Sequence, residues 1–133
     1  MEKIVLSDNH RRSISSSLQI IDKMMIDIER ALSDPVEGVI SKTVNDVPDL
    51  NINHLISVIK EMKTEIGSLV IKYDLKTEEV KVSRIINSRK AKMWETITDT
   101  NSRKLKGYSK FPTELAEEFD KDINRLRKLI ETL

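Results

Sequence analysis

Apolar residues recur every three or four positions through several long stretches of the chain. In the first stretch, residues 7–33, one helical face carries Ile14, Leu18, Ile21, Met25, Ile28 and Leu32. This spacing predicts an amphipathic α-helix. Ile20, Met24 and Ala31 widen its apolar face to about 160° at roughly 100° per residue, which is enough to contact two neighbouring helices.

Two further stretches repeat this pattern. Residues 51–73 place on one face Ile52, Leu55, Ile56, Ile59, Met62, Ile66, Leu69, Val70 and Tyr73. Residues 112–132 carry Leu115, Phe119, Ile123, Leu126 and Ile130, and Leu133 follows on the same face. In the latter stretch acidic residues come first and basic residues last, which suits the helix dipole. Both stretches are predicted helices.

The third predicted helix is out of phase with the second. Its apolar residues are Val82, Ile85, Ile86, Met93 and Ile97, and they do not continue the stripe that ends at Tyr73. We therefore expect a break near residues 74–77, with Thr77 as a capping candidate, and a helix over 77–106. Gly107 and Pro112 mark its end and the start of the next helix.

Residues 34–50 connect the first two helices and contain Pro35, Gly38 and Pro48. Their β-branched residues are compatible with a short amphipathic helix or with an extended strap, and both alternatives stay open. Fully extended, this linker reaches about 55 Å, more than the roughly 40 Å of the first helix. A crossover connection is therefore an alternative to a simple hairpin.

These patterns predict an all-α protein. The specific expectation is a four-helix bundle, mostly antiparallel, with a long connection between helices 1 and 2, formed as one domain over residues 1–133. Composition agrees, because 3 Gly, 3 Pro and 4% aromatic residues among 133 suit long helices better than a β-sandwich or barrel.

Composition also narrows the chemistry. The chain has no cysteine, which excludes disulfides and thiolate sites and favours a reducing, cytoplasmic location. Neither a secretory signal nor a membrane span is evident, so no membrane partner is expected. The net charge of +1 gives no overall attraction to polyanions.

Positive charge is nevertheless concentrated in residues 81–110, which hold nine basic and two acidic side chains. This segment suggests nucleic-acid or polyanion binding as an alternative function, with phosphate contacts from the cations and base stacking on the aromatic rings. The candidate residues are Lys81, Arg84, Lys90, Lys92, Trp94, Arg103, Lys104, Lys106, Tyr108 and Lys110. Acidic neighbours at Glu95 and Asp99 cancel part of this charge along the helix surface.

Arg89 is the one charged residue in the middle of the third helix's apolar face. Burying a guanidinium without a partner is very costly, so Arg89 needs a counter-ion. Asp122, at the edge of the last helix's apolar stripe, is the candidate. The favoured interpretation is a buried Arg89–Asp122 ion pair, and an anion pocket or subunit interface is the alternative.

No catalytic or metal-binding grouping is evident. A carboxylate-bridged metal site in a bundle needs Glu-x-x-His pairs, and neither His10 nor His54 has a glutamate three residues before it. Glu114, Glu117 and Asp120 form a run of hard oxygen ligands, but it lies on the polar face of its helix. We therefore expect no cofactor, no metal and no enzymatic activity.

The surplus apolar surface of the first two helices leads to the main functional hypothesis. It predicts a non-enzymatic interaction module that self-associates as a homo-oligomer or docks a protein partner. Nucleic-acid or polyanion binding through residues 81–110 is the alternative.

Overall fold

The computed structural model describes residues 4–34 and 36–133 and confirms an all-helical fold for that part of the chain. Its helices are α1 (Asp8–Ser33), α2 (Asp49–Lys72), α3 (Val82–Thr98), α4 (Ser102–Leu105) and α5 (Thr113–Glu131). No strand occurs among the described residues, apart from an isolated β-bridge between Glu37 and Lys42. The chain divides into two compact units, Met1–Glu78 and Glu79–Leu133.

Ser7 caps the start of α1. Its side-chain oxygen accepts a hydrogen bond from the His10 amide at 3.1 Å, which satisfies one of the free amides of the first turn. At the other end, the Asp34 amide bonds the Arg30 carbonyl at 2.8 Å. Pro35, which follows this helix in the sequence, lies outside the described residues.

The connection from α1 to α2 is extended, so the strap alternative describes it better than a short helix. The Gly38 amide bonds the Ser41 carbonyl at 2.7 Å and closes a tight turn. Nearer α2, the Asn45 side chain donates to the Leu32 carbonyl at 3.3 Å and accepts from the Val47 amide at 3.1 Å. These bonds attach the connection to the end of α1.

Within the first unit, α1 and α2 form an antiparallel hairpin rather than a crossover. The start of α1 lies beside the end of α2, where Arg11 pairs with Asp74 at 3.1 Å. Farther along, Glu29 pairs with Lys63 at 2.6 Å. The pairing therefore runs in opposite directions along the two helices.

The break after α2 is confirmed and has a clear local cause. Asp74 adopts a left-handed conformation, with φ of 51°, which Asp tolerates better than most residues. The Leu75 amide then reaches back to the Val70 carbonyl at 2.9 Å, and the Leu75 side chain is buried. This left-handed ending with an apolar contact is typical of a helix C-terminus.

The third helix differs from the predicted span of 77–106 at both ends. The chain stays non-helical up to Lys81, and Thr77 does not cap the helix. At the other end α3 stops at Thr98, and Asn101 starts the short α4 by accepting a hydrogen bond from the Lys104 amide at 2.9 Å. Several β-branched residues near position 98 are weak helix formers, and an Asn cap competes with continuation of the helix.

In the second unit, α3 and α5 are also antiparallel. The Lys90 ammonium group, on α3, donates to the carbonyls of Glu131 and Leu133 at 2.9 and 3.0 Å. Near the opposite end of this helix pair, Ser102 bonds Asp120 of α5. Each unit thus contains a pair of long antiparallel helices, whereas the single-domain four-helix bundle stays a prediction.

Candidate functional site

The α1–α2 hairpin has a polar side, and one ion pair identifies it. Met25 and Ile59 are the buried residues of α1 and α2. Glu29 follows Met25 by four positions, and Lys63 follows Ile59 by four positions. These two side chains form the 2.6 Å ion pair, so residues four positions after the buried centre lie on the same side of the hairpin.

The opposite side of this hairpin carries apolar residues, and the ion-paired side also exposes the apolar residues Ile26 and Ile56. A two-fold axis relates the two antiparallel helices. An equal rotation around each helix axis, counted from Met25 on α1 and from Ile59 on α2, therefore leads to the same side of the pair. On α1, Ile21 lies four positions before Met25, and Ile28 lies three positions after it. On α2, Leu55 and Met62 have the same spacing from Ile59. All four positions are rotated by about 40–60° from the buried centre, in the direction opposite to Glu29 and Lys63.

We call this side the hairpin face and define it by Ile21, Met24, Ile28, Leu55 and Met62. The side chains of Ile28 and Met62 are 45% and 37% exposed, and Leu55 is half-buried. Nothing charged projects between Ile21 and Ile28 on this part of α1, because the charged side chains of α1 point in other directions. Both helices of the hairpin therefore expose apolar side chains on this side.

The second unit also exposes apolar side chains on both of its long helices. Those of α3 are Val82, Ile85, Ile86 and Met93, and those of α5 are Leu115, Leu126 and Leu129. The contact between these helices involves a different flank of α3, which carries Lys90 and Trp94. Most of the predicted apolar stripe of α3 is therefore exposed, although Ile97 is half-buried, and α3 has no buried residue.

The total surface shows how incomplete the burial is. Among the described residues, the buried hydrophobic side chains are Met25, Ile59, Leu75 and Ile130. The accessible surface is 11846 Å². A compact monomer of this mass has about 7,100 Å², and even two separate compact domains divided at residue 78 have about 8,600 Å². The excess over the larger value is about 3,200 Å².

The expected burial of Arg89 is not observed. Its side chain is exposed, because α5 packs against the neighbouring flank of α3 and leaves the centre of the stripe in solvent. Asp122 lies 3.4 Å from Arg125 on its own helix, and both of these side chains are exposed. The structure therefore shows no buried Arg89–Asp122 pair, and an anion-binding role for Arg89 stays a prediction.

Lys90, Trp94 and Lys104, members of the predicted nucleic-acid set, make contacts within their own unit. Lys90 bonds the last carbonyls of α5, a favourable position for a cation at a helix C-terminus. The Trp94 indole donates to Glu131 at 3.2 Å, and Lys104 pairs with Asp99 at 2.7 Å. These contacts give the three residues structural roles.

Other members of that set are exposed, namely Lys81, Arg84, Lys92, Arg103, Lys106, Tyr108 and Lys110. Tyr108 is the most accessible aromatic side chain, with 90% of its surface exposed. It lies between Lys106 and Lys110 in the turn that follows α4. A solvated ring between two lysines has the composition of a stacking and phosphate-contact site.

Sequence reasoning missed a polar contact that joins α4 to α5. The Asp120 carboxylate accepts hydrogen bonds from the Ser102 amide and hydroxyl, at 2.8 and 2.6 Å. The hydroxyl bond and then the amide bond lower the pKa of Asp120, because both stabilise its charged form. The sequence signal for this contact was Asn101, a residue type that often caps a helix start. As the cap of α4, it places Ser102 at the first position of that helix.

An open groove of about 460 Å³ adjoins this contact. It is lined by Ile97, Thr98, Asn101, Glu117, Asp120, Lys121, Ile123, Asn124 and Arg127. The Arg127 Nε and Thr98 Oγ1 atoms are buried without a hydrogen-bond partner among the described residues.

Within residues 4–34 and 36–133, no group of three or more His, Cys, Asp and Glu side chains has an arrangement that could hold a metal ion. In the same part of the chain, every helix is too short or too polar to cross a bilayer.

Comparison with known proteins adds no relative: the chain matches no family model, no curated protein and no solved structure.

Proposed function

We propose that this protein is a non-enzymatic helical interaction module that self-associates through the apolar sides of its helix pairs. The observation that carries the proposal is the exposed apolar surface of both units. Exposed apolar side chains on both helix pairs are unfavourable in water, so their burial against a second copy favours association.

A second copy of the chain fits this surface better than a partner of strongly different charge. The chain holds 23 basic and 22 acidic residues, so two copies repel each other only weakly. In such an assembly four helices, two from each copy, surround one core, whereas the sequence analysis expected a bundle of one chain's own four helices. A different protein as the partner is the alternative outcome of the tests.

Unfolding at several protein concentrations tests the proposal. Dilution favours the unfolded monomer of an oligomer, so the urea midpoint should rise with protein concentration. Moderate salt should preserve this dependence, because apolar association is not weakened by screening. A midpoint that is independent of concentration over a thousandfold range would contradict self-association.

A second candidate function, nucleic-acid or polyanion binding, is favoured by one observation, the exposed Tyr108 between two lysines. Fluorescence anisotropy with a labelled single-stranded oligonucleotide tests it. The expected result is binding at low salt that weakens steeply as salt rises and that falls when Tyr108 is replaced by Ala. Absence of binding at low salt would rule this function out.

A further inference from the structure

We infer that the α3–α5 pair associates with the same pair of a second copy through one apolar side, with Arg89 of each copy paired with Asp122 of the other. This inference rests on the proposed self-association and assigns it to the second unit. Both residues lie among exposed apolar side chains, Arg89 between Ile85 and Met93, and Asp122 four positions before Leu126. An interface that covers these apolar side chains therefore needs to pair the two charges.

The exposed apolar residues of α3 and α5 lie on the same side of the pair. On α3, Ile86 lies four positions before Lys90, the half-buried residue that bonds the end of α5. On α5, Leu126 lies four positions before the buried Ile130. Equal rotations away from the contact lead to one side of an antiparallel pair, so Ile86 and Leu126 share that side.

The other side of this pair is polar. On α5 it carries the exposed residues Glu117, Lys121 and Lys128. Trp94 lies at the edge of this polar side, where its indole donates to Glu131 at 3.2 Å. All other exposed large apolar side chains of α3 and α5 lie on the apolar side or at its outer edges. One side of the pair therefore has the composition of a contact surface.

Arg89 and Asp122 lie at opposite ends of the apolar side. Arg89 precedes Lys90, whose ammonium group bonds the Leu133 carbonyl at 3.0 Å, so Arg89 lies level with Leu133. Asp122 lies eleven positions before Leu133, which is about 16 Å along the helix axis. This separation explains why the two residues do not pair within one chain. The contact that Asp122 makes with Arg125 of its own helix is exposed and 3.4 Å long, so it competes only weakly.

This placement of opposite charges identifies a second copy as the occupant. A two-fold axis in the plane of the apolar side, midway between Arg89 and Asp122 and perpendicular to the line that joins them, exchanges the two positions. Arg89 of each copy then faces Asp122 of the other. Lys92 and Glu118, within one turn of Arg89 and Asp122 respectively, add a second cation and a second anion at the same two places. The apolar side chains supply most of the affinity, and the charges set the orientation.

Charge reversal tests the inference. Arg89→Asp places two aspartates at each contact of the homodimer, and Asp122→Arg places two arginines there, so each dissociation constant should rise by roughly 30-fold or more. An equimolar mixture of the two variants should associate within about threefold of the unmodified affinity, because every contact in the mixed dimer again joins an arginine to an aspartate. Failure of the mixture to associate would overturn the inference.

A control variant and the unmodified protein separate this inference from the broader proposal. The matched control is Lys128→Asp, because Lys128 is an exposed cation on the polar side of α5, and its dissociation constant should change by less than about threefold. If sedimentation shows association that neither Arg89→Asp nor Asp122→Arg weakens, this surface is the wrong one but self-association stands. If the unmodified protein sediments as a monomer at every concentration, both the inference and the proposed function fail.

Thiol labelling keeps the test decisive if a charge-reversed variant loses its helices, which circular dichroism will show. The chain has no cysteine, so Met93→Cys on the apolar side and Ala91→Cys on the polar side each carry a single thiol. Alkylation at Met93→Cys should slow at least about tenfold between dilute and concentrated protein, whereas the rate at Ala91→Cys should stay constant. Equal rates for Met93→Cys at both concentrations would contradict the inference.

Discussion

The two units of this protein differ in what holds their helices together. In the first unit the centre of the contact is apolar, with Met25 and Ile59 buried, and an ion pair covers one side. In the second unit polar contacts fix both ends of the helix pair, through Lys90 at one end and Ser102 with Asp120 at the other. The comparison shows that both pairs cover only part of their apolar stripes, so exposed apolar side chains remain on each pair.

The single tryptophan, Trp94, allows the two units to be followed separately. It lies in the second unit, so its fluorescence reports on α3 and α5, whereas far-ultraviolet circular dichroism reports on all helices. Coincident transitions by both probes would support one cooperative domain, as expected from the sequence. Separate transitions would support two units that unfold independently.

The largest expected effect is that of Met25→Ala. Met25 is only 2% exposed, so removing its side chain should lower the free energy of unfolding of the first unit by about 2–4 kcal/mol. Met24→Ala, at the adjacent and exposed position, should cost less than about 1 kcal/mol in the dilute monomer. Urea unfolding followed by circular dichroism measures both, and equal losses would show that Met25 is not the centre of the contact.

A smaller effect is expected for Ser102→Ala in the second unit. The substitution removes a hydrogen bond to a charged carboxylate from a buried serine, so the cost should be about 1–2 kcal/mol. Trp94 fluorescence during urea unfolding measures it. The control is Ser109→Ala in the exposed turn after α4, which should stay within about 0.5 kcal/mol of the unmodified protein.

The Ser102–Asp120 contact should also make the second unit sensitive to acid. Because folding lowers the pKa of Asp120 from its ordinary value, its contribution is fully present above that ordinary value and is lost as the pH falls through the lower pKa of the folded state. Trp94 fluorescence should show lower stability below about pH 4, and Asp120→Asn should reduce that dependence. If Asp120→Asn loses stability below about pH 4 as steeply as the unmodified protein does, the acid sensitivity does not come from Asp120.

The smallest effect is expected for Glu29→Gln in the first unit. The ion pair with Lys63 is half-exposed, so its loss should cost about 0.5 kcal/mol at low salt and less at high salt. Glu117→Gln is the matched control, because its pair with Lys121 is longer, at 3.3 Å, and more exposed. Urea midpoints at two salt concentrations measure both, and a salt-independent loss for Glu29→Gln would exclude a Coulombic origin.

The sequence was sufficient to predict the helices but not the contacts between them. Periodicity located α1, α2 and α5 to within about two residues, because each keeps one apolar face over its whole length. It failed at residues 99–101, where capping by Asn101 and the contact of Ser102 with Asp120 outweigh helix continuation. The sequence also led us to expect a buried Arg89, and the structure shows it exposed. Periodicity shows where apolar residues lie but not which part of that face a neighbouring helix covers.

The candidate site was predicted only in outline. A face wide enough for two neighbours was evident on the first helix, but its division into a buried line at Met25 and an exposed part at Ile28 depends on where α2 packs. That packing is a contact between residues far apart in sequence, which periodicity does not encode. The same limit applies to the open groove beside Arg127.

The most direct test of self-association is the solution mass, measured by light scattering after gel filtration at low and moderate salt. We predict a mass that is a multiple of 15.3 kDa and is insensitive to salt. A mass of 15.3 kDa at every concentration and in both salts would contradict the account, because the apolar sides of the helix pairs would then be stable without a second copy.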